Sequence, residues 1–104
     1  MNLKTIRPLV AEFVATALFV FVGAGAFVMN VATSNQLGAL GVSLANGLAL
    51  AIAITATMRI SGGHVNPAVT VAVWLAGRID GRAAGLYVVA QLLGALAGAL
   101  CVRL

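Results

Sequence analysis

The sequence predicts an all-α membrane protein with three transmembrane helices and one re-entrant half-helix. Three observations carry that fold class. Hydrophobic residues make up 62% of the chain and charged ones only 8%, against about 25% charged in a typical soluble chain. Three apolar runs reach membrane-spanning length, and a fourth, opened by glycines and an internal Asn-Pro, is too short to span.

The first run extends from Pro8 to about Val31, 24 residues interrupted by the single charge of Glu12. A spanning helix needs about 20 residues, so this run crosses with some tilt. It is also longer than the apolar region of a signal peptide, roughly 7–15 residues, and reads as a retained first helix. Pro8 suits a helix start, where its missing N–H would be unpaired anyway. Ala32-Thr33-Ser34-Asn35-Gln36 is short, polar and uncharged, and reads as a turn. The second run covers Leu37 to about Met58 and stops at Arg59. The last covers about Ala83 to Val102 and stops at Arg103.

Between them lies Val65–Ala76, about twelve residues. Pro67 fits a first helical turn and Asn66 is a preferred capping residue. Residues 61–76 are therefore expected to form an irregular loop, Ser61 to Val65, followed by a half-helix ending near Gly77. Charge counting supports re-entry. With the N-terminus cytoplasmic and this segment re-entrant, Lys4, Arg7, Arg59, Arg78 and Arg82 lie inside and only Arg103 outside, in accord with the positive-inside bias. If the segment crossed, Arg78 and Arg82 would move outside and the bias would vanish. The expected location is a multi-pass position in the plasma (inner) membrane with a cytoplasmic N-terminus.

The net charge of +4 does not point to nucleic acid, because the cations punctuate apolar runs and form no basic face. One cysteine, Cys101, excludes an internal disulfide and reads as a packed thiol. His64 has no second histidine to share a metal. No nucleophile–base constellation, metal set or cofactor motif is present, so the chain is expected to be neither an enzyme nor a cofactor protein. Small residues recur four apart at Gly77/Gly81, Gly81/Gly85 and Gly94/Gly98; within the last helix this favours close helix packing.

Irregular backbone at membrane depth is tolerated only where protein buries it or water reaches it. An extended Gly62-Gly63-His64-Val65 would present carbonyl acceptors along a wet path, and glycine permits the dihedrals this needs. A half-helix starting there aims its positive dipole end at the path, with the Asn66 amide beside it. Acceptors, donors and a cation-repelling field form a selectivity device for a neutral, hydrogen-bonding solute.

Ser61-Gly62-Gly63-His64-Val65-Asn66-Pro67-Ala68-Val69-Thr70 resembles the first Asn-Pro-Ala loop of the aquaporin and glycerol-facilitator (major intrinsic protein) family. Ala11-Glu12-Phe13-Val14-Ala15-Thr16 resembles the family's first-helix signature and Ala90-Gln91-Leu92-Leu93-Gly94-Ala95 its third-helix signature. The resemblance covers residues 1–104 as one unit, the first of the family's two inverted repeats, whose half-helices meet at the bilayer centre. It implies a passive channel for water and for glycerol or other small neutral solutes, completed by a second half from a longer chain or a partner. It also implies a homo-oligomer, a tetramer by family likeness.

By that resemblance Asn66 donates to the solute, Pro67 and Ala68 stack on the opposing half, and the carbonyls of Gly62, Gly63, His64 and Val65 line the pore. Glu12 is a buried brace for the loop, and Gln91 hydrogen-bonds loop or helix. Asn46, twenty residues before Asn66, matches a second-helix filter position where water-selective members carry an aromatic or histidine. A wider filter and a helix–helix hydrogen bond are both open for it. Two alternatives remain: a small proton-coupled multidrug-type exporter using Glu12, and an inactive half that only inserts and assembles.

Overall fold

The computed structural model describes residues 2–104, and among them every regular element is helical. Helix α1 spans Leu3–Ala32, α2 Gly38–Ser61, α3 Pro67–Leu75 and α4 Gly81–Arg103. The helices α1, α2 and α4 are long and apolar enough to cross a membrane. The nine residues of α3 rise only about 14 Å, roughly half of a hydrocarbon core.

Helix α1 starts five residues before the sequence expectation. Asn2 caps it, its Oδ1 accepting from Thr5 N at 3.0 Å, so Pro8 stands inside the helix rather than at its first position. The lost bond is the one Pro8 would have donated to the Lys4 carbonyl, one turn from the end, where solvent can serve that carbonyl instead. The other spans also run slightly past the apolar runs, to Ser61 for α2 and from Gly81 to Arg103 for α4. Helical hydrogen bonding continues through residues whose polarity ends a hydropathy count.

The turns are built by side chains and left-handed residues. Between α1 and α2, Asn30 Oδ1 accepts from Gly38 N at 2.9 Å, while Ser34 and Asn35 adopt positive φ. Gly62, with φ 93°, closes α2 and donates its N–H to Met58 O, as a left-handed cap does. After α3, Gly77 N bonds Trp74 O and Arg78 N bonds Val73 O, the paired pattern of a Schellman ending. Asp80 Oδ1 then caps α4 by accepting from Ala83 N at 2.7 Å.

Helix α1 is the central element, packed on α2 along one side and α4 along the other, with α3 resting on α4. Gly94 lies against the backbone carbonyl of Phe13 and Gly98 against that of Ala17. Both partners advance together along the sequence, so α1 and α4 run parallel. The short turn 33–37 makes α2 antiparallel to α1. Residues 62–80 therefore leave and rejoin the bundle on the same side, and α3 does not add a span.

Much of the chain's apolar surface faces outward, including Leu40, Leu44, Leu48 and Ile52 along one stripe of α2, as expected where lipid is the solvent. Cys101, in the last turn of α4, is exposed rather than packed. The core is small: Ala15, Ala53 and Val65, with Phe19, Leu50 and Ile54 packed around them. Val65 thus wedges the loop between α1 and α2.

A Cβ at Gly94 or Gly98 would collide with α1 backbone, whereas one at Gly85 meets nothing within 4 Å. Gly98→Ala should lower stability by about 1–3 kcal/mol through overpacking, and Gly85→Ala should be neutral or slightly stabilising. Thermal unfolding in one detergent, compared across the two variants, checks this.

Candidate functional site

The loop between α2 and α3 has no regular hydrogen bonding of its own, and α1 and α4 supply what it lacks. Glu12 is completely buried and accepts four hydrogen bonds. Its Oε1 takes the Ser61 hydroxyl at 2.7 Å and the His64 N–H at 2.9 Å. Its Oε2 takes the Val65 N–H at 2.7 Å and the Gln91 Nε2 amide at 2.8 Å. Two of these donors are backbone groups that a non-helical loop would otherwise bury unpaired, at about 1–3 kcal/mol each.

A second layer ties the loop to α3 and α4. Gln91 Nε2 also donates to Thr70 Oγ1 at 2.9 Å, and His64 Nδ1 pairs with the same hydroxyl at 2.9 Å. Tyr87 donates its hydroxyl to the Ser61 carbonyl at 2.8 Å, and its ring lies tilted against His64 with centroids 5.1 Å apart. Gln91 and Thr70 are, like Glu12, wholly shielded. Two further buried oxygens, Thr16 Oγ1 and Gln91 Oε1, have no protein partner among the described residues.

These anchors fix how deep the loop sits. Glu12 is nine residues into α1 and Gln91 ten into α4, about 14 and 15 Å from the helix starts. The loop therefore rests well inside the bundle, close to half the thickness of a hydrocarbon core.

The backbone at this point is strained in a way the sequence does not show. Gly62 and Gly63 have φ of 93° and 65°, and Val65 has φ 56°. Glycine adopts such values freely, but a β-branched residue there is an outlier, costing of order 1–3 kcal/mol. The Val65 side chain is buried between α1 and α2 and its N–H is held by Glu12, so packing and a charged acceptor hold it there. Gly63 is needed for space as well, since a Cβ would approach the Ile54 carbonyl to 2.9 Å.

Beyond Val65 the chain is extended at Asn66, with φ −161° and ψ 126°, as the residue before a proline prefers. Asn66 caps α3, its Oδ1 accepting from Ala68 N at 2.8 Å. Asn66 is exposed, and its amide NH2 has no protein partner among the described residues. No backbone N–H there reaches the carbonyls of Gly62, Gly63, His64 or Val65. Pro67 and Ala68 form the first turn of α3, beside this free end.

The structure thus gathers Glu12, Gly62, Gly63, His64, Val65, Asn66, Pro67, Ala68 and Gln91 in one place. It does not bring Asn46 to them. Asn46 Nδ2 donates to Val42 O of its own helix at 2.9 Å, and its Oδ1 lies over Gly23 of α1. Within these 104 residues Asn46 thus meets α1 rather than the loop. Sequence reasoning passed over Ser61, Thr70 and Tyr87 as site residues. The first two lie inside the motif and could have been paired with Glu12 and Gln91. Tyr87 sits four residues before Gln91, hence on its helix face, which was the available signal. Among the described residues no group of three His, Cys, Asp or Glu side chains could hold a metal.

Comparison with known proteins identifies the family of this half-helix and braced loop. The profile of the Major intrinsic protein family matches residues 1–104, and the chain belongs to that family. Aquaporin TIP1-2 of Musa acuminata is 43% identical over 105 residues, covering 96% of this chain and 42% of that protein. Aquaporin-2 of Rattus norvegicus is 44% identical over 89% of this chain and 34% of its own length. The Propanediol uptake facilitator PduF of Citrobacter freundii is 41% identical over 88% and 34%. The chain spans about two fifths or less of the length of these relatives. Members of this family are channels rather than enzymes.

Glu12→Gln replaces one acceptor oxygen by an NH2 facing donors. It should destabilise the chain by at least about 3 kcal/mol, the cost of leaving buried donors unpaired. It should also raise hydrogen exchange at the His64 and Val65 amides, and exchange measured in detergent or nanodiscs checks both sites directly.

Proposed function

We propose that these 104 residues form one half of a passive transmembrane pore for water and small neutral solutes, glycerol and propanediol among them. The observation that carries this is the pairing of four backbone carbonyls without backbone partners, at Gly62 to Val65, with the unpartnered Asn66 amide at the start of α3. A solute with both donors and acceptors would pass down the carbonyl line and accept a hydrogen bond from Asn66. The positive end of α3 would repel cations at the same point. The propanediol-facilitator relative supports a solute range wider than water.

In this reading the segment 62–80 is re-entrant, and α1 enters from the cytoplasmic side of a plasma (inner) membrane with five of the six Lys and Arg residues inside. The parallel course of α1 and α4 supports that topology. Pro67 and Ala68 would meet an opposing half-helix, supplied by a further segment or a partner chain, and several such units would assemble as an oligomer. An exporter built on Glu12 would need that carboxylate open to substrate and protons. It is instead fully buried and engaged four times over, which favours the brace.

Osmotic swelling of vesicles carrying the chain, alone and with a complementary half-channel, tests the reading. Rapid water flux should appear with the complement. Asn66→Asp keeps the capping oxygen but loses the NH2 and adds a charge. It should cut flux by roughly tenfold or more, the weight of a lost hydrogen bond at the narrowest point. Undiminished flux in that variant would remove the loop from the pore.

A further inference from the structure

The three cations at one end of the α1–α2 pair are not scattered. Lys4, Arg7 and Arg59 together line a cleft of about 180 Å³ whose other walls are Pro8 and Ile60. Lys4 and Arg7 are three residues apart on one face of α1, and Arg59 comes from the last turn of the antiparallel α2. All three are exposed.

Neither acidic residue of the described chain lines this cleft. The sequence has two acidic residues. Glu12 is committed to four donors in the interior, and Asp80 caps α4. Lys4 and Arg7 also sit near the start of α1, the end where the helix dipole disfavours cations. An orientation bias accounts for cations on this side of the membrane, but not for three of them converging on one cleft.

The cleft lies where α1 and α2 leave the apolar zone, and its surroundings are split by polarity. Ile60, one of its walls, is 44% exposed, and Pro8 opposite it is half-buried. A ligand that places an anion among the cations and hydrocarbon along these side chains would satisfy both. Basic clefts between membrane helices bind anionic head groups in this way.

We infer that Lys4, Arg7 and Arg59 form a binding site for the phosphate of one anionic phospholipid, in the leaflet that the N-terminus faces. The two arginines supply planar donor pairs matched to phosphate oxygens, and Lys4 adds a mobile point charge. The acyl chains lie along Pro8 and Ile60. Bound lipid would bridge the start of α1 to the end of α2, next to the residue, Ser61, from which the braced loop departs.

The test is lipid retention by the full chain in nanodiscs of phosphatidylcholine containing a small fraction of phosphatidylglycerol, followed by native mass spectrometry. The wild-type chain should retain phosphatidylglycerol preferentially. Arg59→Gln leaves the N-terminal cations in place and should weaken that preference about fivefold, the weight of one interfacial cation. Adding Lys4→Gln and Arg7→Gln should abolish it. Arg103→Gln, at the far end of α4, should leave it unchanged, and Arg59→Lys should retain most of it. Equal retention in Arg59→Gln and wild type would overturn the site. So would displacement of the lipid by millimolar inorganic phosphate, which would mark a free-anion site instead.

Discussion

The buried carboxylate of Glu12 is the constraint on which the rest of the structure depends. An ionised group inside a membrane protein is costly unless it is fully hydrogen-bonded, and here each oxygen accepts twice. The exchange is reciprocal, since a loop with unpaired N–H groups could not remain among apolar helices without such an acceptor. One side chain on α1 therefore determines where α2 ends, how the loop turns and how α4 is aligned through Gln91.

From that point the remaining geometry follows in steps. With the His64 and Val65 amides turned toward Glu12, Val65 is forced to positive φ and its side chain fills the gap between α1 and α2. Asn66 is then left extended, oriented to cap α3 with one end of its amide and present the other outward. Thr70, one turn into α3, meets Gln91 and His64, so the half-helix is clamped at its start while its far end reaches only α4. The loop and the first turn of α3 are thus held rigidly by groups from α1 and α4.

The α1–α4 contact contributes the other requirement, close parallel alignment. Gly94 and Gly98 bring α4 against the α1 backbone, near enough for Gln91 to reach Glu12 directly. Packing of small residues, rather than hydrophobic burial, holds membrane helices together, and here it also sets the register of the polar network. The outward-facing apolar surface of α2 is that of a helix solvated by lipid.

The sequence alone determined the three long helices, the short fourth one and the site region, because hydropathy runs, an Asn-Pro start and glycine spacing are local properties. It also marked Glu12 and Gln91 as unusual, since polar groups inside apolar runs require a partner. Only the tertiary structure decided which partners they take. Nothing local says that Val65 is left-handed, that Tyr87 reaches the Ser61 carbonyl, that Asn46 turns toward Gly23 of α1, or that Asn2 starts α1 five residues before the apolar run. Each of these depends on groups that come together only when the helices pack, and hydrogen bonds between residues fifty or eighty positions apart leave no periodic trace in the chain.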